Sequence, residues 1–214
     1  MRHVFAIARR ELRSYFVSPI AYAALTAYAL LSAYFFNSMV VYYVRQASLA
    51  DGQLKQLGRS ELQLDVPTRI LEEFFKNQGA FVLLLIIPLL TMGLLTDERR
   101  KGTLELLLTS PVRPIELTLG KFFGALTLFV LMCLPTLPYW FFLAQGGEWE
   151  PGVVLAGYTG LLLLAATQIA IGLFISSLSE NILVSALSTY GVLVAFNFID
   201  TSASLARSIW VDFI

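Results

Sequence analysis

The chain has 214 residues, 57% of them apolar and 14% charged. With its 14 glycines added, the apolar share reaches about 64%, against roughly 45–50% for soluble domains on the same count, which excludes an ordinary soluble protein. Lys plus Arg and Asp plus Glu number 15 each, so the chain lacks the cationic excess that displaces counterions, and no nucleic-acid partner is expected. A single cysteine, Cys133, excludes an internal disulfide, and a single histidine, His3, excludes HExxH and every multi-histidine metal site.

In chain order, residues 1–16 come first. At about 100° per residue, Val4, Phe5, Ala8, Leu12, Tyr15 and Phe16 fall on one half of a helix and Arg2, Arg9, Arg10 and Arg13 on the other. This predicts an interfacial helix on the inner leaflet. Roughly 20 apolar residues span a hydrocarbon layer about 30 Å thick, and five stretches qualify: 20–44, 79–96, 122–144, 153–178 and 182–199. The first is too long for the apolar core of a cleavable signal peptide. Residues 45–78 are expected as an external loop. Its second half, with Asp65 before Pro67 and Ile70, Leu71, Phe74 and Phe75 at helical spacing, reads as a capped amphipathic helix on the outer surface. Residues 200–214 read as an external tail.

Orientation follows from the cations. Arg2, Arg9, Arg10, Arg13, Arg99, Arg100, Lys101, Arg113 and Lys121 lie on one side, against Arg45, Lys55, Arg59, Arg69, Lys76 and Arg207 on the other. The second group is offset by five acids in the 45–78 loop, Asp51, Glu61, Asp65, Glu72 and Glu73. The N-terminus is therefore expected in the cytoplasm.

Residues 97–121, between the second and third spans, are more than a connector. Asp97, Glu98, Arg99, Arg100 and Lys101 precede Gly102, Thr103, Leu104, Glu105, Leu106, Leu107 and Leu108, with Pro111 and Pro114 beyond. Gly102 or Thr103 can cap a short helix, Glu105 suits its positive first turn, and the prolines stop it after about two turns. Two turns are not stable alone in water, so Leu104, Leu107 and Leu108 need a surface to cover them. A separate protein accounts for the flanking charges better than the chain's own helices do.

The string TDERRKGTLELLLTSPVRPIELTLGKFFGAL resembles the cytoplasmic loop of ABC-2 type transporter permeases, particularly the gliding-motility-associated group. The opening AIARRELRSYFVSPIAY is similar to that family's interfacial helix and first span, and SSLSEN, residues 176–181, to its second cytoplasmic turn. The resemblance covers about residues 4–199. It implies an all-α polytopic membrane protein whose Gly102, Thr103, Leu104, Glu105, Leu107 and Leu108 form a cytoplasmic coupling helix against an ATPase subunit. Asp97, Glu98, Arg99 and Arg100 would form the charged approach to that helix, with Ser179, Glu180 and Asn181 near the same partner. It further implies two ATPase copies holding ATP and Mg, a second permease chain in the lipid bilayer, a bacterial inner-membrane location and an export function. Members usually have six spans, where five are counted here.

The sequence has no GxxxxGK[ST]: its Gly-Lys pair, Gly120-Lys121, is followed by Phe122. No cofactor site is therefore expected in this chain. GxSxG and GxGxxG are absent too. An intramembrane aspartyl protease would pair Asp97 with Asp200, which the topology places on opposite sides of the membrane. A gradient-driven transporter or channel is the other alternative, but the span interiors offer only amides and hydroxyls such as Thr167, Gln168, Ser185, Ser188 and Asn197. These are expected to bond between helices, with close packing at Gly120/Gly124, Ala156/Gly160 and Gly172/Ser176, and Pro88, Pro135 and Pro138 are expected to kink their spans.

Overall fold

The computed structural model describes residues 2–56, 66–100, 102, 113–144 and 151–212, and every regular element among them is helical. Five stretches are long and apolar enough to cross a membrane: Ala21–Ala50, Pro67–Arg100, Pro114–Leu143, Pro151–Leu178 and Ile182–Ile199. The chain is an all-α polytopic membrane protein, the architecture in which every backbone hydrogen bond can be made inside each segment.

Helix α1, Arg2–Val17, is followed at once by α2, Pro19–Gln56. Pro19 stands at a first helical position, where its missing N–H costs nothing. Helix α2 carries on past Val44 to Gln56, so the first part of the expected external loop is helical. Hydropathy marks where apolar side chains stop, whereas a helix continues for as long as its own backbone bonds are met.

The second span is built in pieces. Helix α3, Val66–Asn77, passes through a π turn, Gln78–Val82, into α4, Leu83–Thr91, and after a turn the chain forms α5, Thr96–Arg100. The amphipathic helix expected on the outer surface is thus the start of this span. Its Ile70, Leu71 and Phe74 are buried against Trp140, Leu143 and Val154. Its proposed cap, Asp65, lies outside the described residues.

The third span comprises α6, Pro114–Cys133, a 3-10 turn, Leu134–Thr136, and α7, Pro138–Ala144. Helix α6 begins at Pro114, so residues 114–121 are its first two turns and not loop. Glu116 supports that start by accepting the Arg113 N–H at 3.3 Å. Pro135 and Pro138 interrupt the helix as expected, and Thr136 Oγ1 donates to the freed Cys133 carbonyl at 2.7 Å, the repair that lets proline sit in a span. Helices α8, Pro151–Leu178, and α9, Ile182–Asp212, complete the bundle. The expected external tail is helical to Asp212.

The main core gathers Tyr28 from α2, Ile86 and Leu90 from α4, Leu128 and Phe129 from α6 and Ala165 and Ile169 from α8. A second, aromatic cluster closes the end remote from α1. There Phe36 stacks on Tyr139 at 4.5 Å and Phe75 on Trp140 at 5.4 Å, while Trp140 Nε1 donates to Tyr158 Oη at 2.8 Å. Tyr139 and Trp140 belong to this cluster, and Trp140 is buried.

Helix α1 docks along α6. A Cβ placed on Gly120 would stand 2.6 Å from Ile7 Cβ, and one on Gly124 2.9 Å from Glu11 Cβ. The glycines strip α6 to backbone where α1 crosses it, which is close packing by small residues. They also select the inward stripe of α1: Ile7, Ala8, Glu11 and Leu12 are half-buried, whereas Phe5, expected on the apolar half, is 75% exposed. Gly120→Val should cost about 1–3 kcal/mol and release α1. Faster hydrogen exchange across residues 4–15 in the variant checks this, and unchanged exchange contradicts it.

Candidate functional site at the α1 end of the bundle

Lys121 is the largest charged group buried in the described bundle, at 1% exposure. Its ammonium lies 3.0 Å from Glu11 Oε1 and 3.0 Å from Glu98 Oε1. Three elements thus meet on one cation: α1 through Glu11, α5 through Glu98 and α6 through Lys121. Arg10 adds an outer contact to Glu98 at 3.8 Å, so the four side chains balance to zero net charge. Both carboxylates are mostly shielded, with side-chain exposures of 14% for Glu11 and 13% for Glu98. Packed charges survive only with such close pairing.

Tyr15 strengthens the same junction by donating its hydroxyl to the Leu90 carbonyl at 3.0 Å, which joins α1 to α4. Burial, and then the negative charge of Glu11, push the Tyr15 phenol above its ordinary pKa, so it stays a donor. A cavity of about 250 Å³ opens beside the cluster, lined by Arg10, Glu11, Tyr15, Asp97, Glu98 and Lys121 among others.

The break between α4 and α5 is held by one hydroxyl. Ser176 Oγ accepts the Leu95 N–H at 3.0 Å and the Thr96 N–H at 3.2 Å, and Thr96 Oγ1 donates to the Ser176 carbonyl at 3.0 Å. A helix interrupted in an apolar layer must have its freed N–H groups met from inside the protein, and α8 supplies that acceptor. A turn earlier on α8, Gly172 lies directly against the Thr91 side chain. The expected close packing at Gly172/Ser176 is therefore contact with the second span.

The residues expected near a partner divide into three groups. Asp97, Glu98, Arg99 and Arg100 form α5 together with Thr96. Arg99 reaches across to the turn between α8 and α9, donating to the Ser177 carbonyl at 2.8 Å and pairing with Glu180 at 3.6 Å. In that turn Ser179 Oγ donates back to the Ile175 carbonyl at 3.2 Å. Asn181 caps α9, its Oδ1 accepting the Leu183 N–H at 2.9 Å. The structure thus brings the charged approach and the second turn together.

Gly102 has φ +66° and accordingly sits in the left-handed region, with its N–H bonded to the Arg99 carbonyl at 3.1 Å. It follows the C-terminal end of α5, where glycine takes up this conformation without strain. Thr103, Leu104, Glu105, Leu107 and Leu108 lie outside the described residues.

Glu11 and Lys121 are not among the residues that the sequence pattern singles out for this site. Lys121 counts there as a loop cation, because α6 begins earlier than hydropathy indicates. The available signal is Glu11, a carboxylate falling between Ala8, Leu12 and Tyr15 on an otherwise apolar stripe. Asp97 and Asp200 do not converge, since position 200 lies about 27 Å along α9 from the end that meets α5. No group of three or more His, Cys, Asp and Glu side chains able to hold a metal ion occurs among the described residues.

Among the described residues the buried charge, Lys121 with its two carboxylates, lies at the α1 end of a bundle of apolar spans. Residues 5–207 match the sequence model of the ABC-2 family transporter proteins, and the chain belongs to that family. It is the membrane-spanning permease component of an ABC transporter. No curated protein and no solved structure matches the chain.

Lys121→Met removes the shared cation and leaves Glu11 and Glu98 shielded side by side. The expected loss is about 3–5 kcal/mol, read as a fall in the unfolding temperature of the detergent-solubilised chain. Adding Glu11→Gln and Glu98→Gln to Lys121→Met should recover most of it, and a triple variant as unstable as the single one would show that the cluster is not the cause.

Proposed function

We propose that this chain is the permease of an ATP-driven exporter in a bacterial inner membrane, with its N-terminus and the α1 end of the bundle in the cytoplasm. The whole of 1–214 then acts as one transmembrane domain. On this reading two permease chains pair, the same or related, and two separate ATPase subunits bind beneath them with ATP and Mg. Within the family, the loop motif is similar to that of the gliding-motility-associated group.

The observation that carries the reading is the double tie on α5. Glu98 pairs with Lys121, and Arg99 donates to the Ser177 carbonyl at the end of α8 and pairs with Glu180 just beyond it, so α5 is linked to α1, α6 and α8. Residues 102–110 follow α5 directly. A push delivered there by closing ATPase subunits would be passed through α5 to these three helices, which is rigid-body coupling. Asp97 to Arg100, Gly102, Thr103, Leu104, Glu105, Leu107, Leu108 and Ser179 to Asn181 are the proposed contact with the ATPase. The gradient-driven alternative has less support, because the packed charged groups stand together at the α1 end and not along the middle of the spans.

Affinity purification of the full chain in mild detergent should carry along an ATP-hydrolysing subunit of about 25–35 kDa, one to two ordinary domains. Glu105→Lys, or Leu104→Asp with Leu107→Asp, should abolish permease-stimulated ATP hydrolysis while membrane insertion is retained. Unchanged stimulation in those variants would defeat the assignment.

A further inference from the structure

Opposite the stripe of α1 that docks on α6, a hollow of about 430 Å³ is lined by Phe5, Ala6, Arg9, Arg10 and Arg13. Three of these five side chains are cations and none is an acid. Arg10 leans toward Glu98 at 3.8 Å, but among the described residues no carboxylate lies in ion-pair reach of Arg9 or Arg13. These two stand one turn apart, and like charges at that spacing repel each other. An anion from outside the chain would relieve that repulsion. Phe5 and Phe16 share the same face, because at about 100° per residue they fall with Arg9 and Arg13 inside an arc of about 80°.

The apolar neighbours indicate where that anion comes from. Phe5, Phe16 and Val17 are exposed beside the arginines, a mixture that water disfavours and the boundary between headgroups and acyl chains favours. Phe16 packs edge-on against Tyr22 with ring centres 6.3 Å apart, and Tyr22 already belongs to the first span, Ala21–Ala50. From Arg13 to the start of that span is eight residues, about 12 Å of helix. The arginines are thus within reach of the headgroup layer. Guanidinium forks match phosphate oxygens in pairs. A choline or ethanolamine head brings its own cation among three others, whereas a head without an ammonium does not. We propose that the outward face of α1 binds an acidic phospholipid, with Arg9 and Arg13 on its phosphate and an acyl chain against Phe5 and Phe16.

The test places the full chain in phosphatidylcholine nanodiscs with a trace of photoreactive lipid, either phosphatidylglycerol or phosphatidylcholine, each bearing the same diazirine acyl chain. The phosphatidylglycerol probe should label residues 3–17 several-fold more than the phosphatidylcholine probe does. Arg9→Gln with Arg13→Gln should bring that labelling down to the phosphatidylcholine level, since each guanidinium at an acidic surface is worth a factor of about five. Labelling of the exposed Leu155 and Phe174 should not change, which shows that the variant inserts and folds. Ala6→Glu, which sets a carboxylate in the hollow, should have the same effect and decides the matter should the double variant fail to insert. Excess sodium phosphate should leave the probe in place. Displacement by free phosphate, an excess that survives either variant, or equal labelling by the two lipids overturns the proposal, and equal labelling leaves the face to an acidic partner protein. No ATPase is required and both leaflets of a disc carry the probe, so this result is independent of the partner and orientation proposed above.

Discussion

One ammonium holds the lower part of this molecule together. Lys121 meets carboxylates from two other elements at 3.0 Å each, at a place where a lone charge would be strongly disfavoured. Replacing such a cluster with well-packed apolar groups is often neutral or even stabilising, so its value here is not total stability. It demands one register of α1 on α6 and one position of α5, because any slip leaves a charge without its partner. The glycines at 120 and 124 serve the same end, since only a bare α6 backbone lets α1 come near enough for Glu11 to reach.

The second span shows a complementary tactic. It is interrupted twice, by a π turn and by the bend between α4 and α5, and each interruption frees polar groups that hydrocarbon cannot satisfy. At the bend, Ser176 meets two backbone N–H groups with a single oxygen. At the π turn, the Leu83 N–H bonds back to the Gln78 carbonyl. Both interruptions are thus closed by the protein's own groups, one from a neighbouring helix and the other from within the same segment.

The five spans were legible in the sequence because long uncharged runs report directly on the bilayer. Their ends were not, because α2 continues past Val44, α3 precedes Gly79 and α6 starts before Phe122, all with polar side chains on helices that extend out of the apolar layer. The contact between α5 and the α8–α9 turn was within reach of the motif, which named Arg99 and Glu180 as neighbours of a common surface. The Glu11–Lys121–Glu98 cluster was hidden for a physical reason. Its members are far apart in sequence, and periodicity within one helix says nothing about which residue on another helix will answer a misplaced charge.

The docking of α1 on α6 has a consequence for biogenesis. Glu11 leaves the ribosome 110 residues before Lys121, which at ordinary rates of synthesis is a delay of about 5–20 s. Throughout that interval the first helix has no binding groove, and its acid has no counter-ion. The arginines and the outward Phe5 and Phe16 give it somewhere to wait, at the lipid surface, until the third hydrophobic segment has been threaded and the groove exists. The outward face of α1 is thus suited to the nascent chain, and its inward face to the finished one.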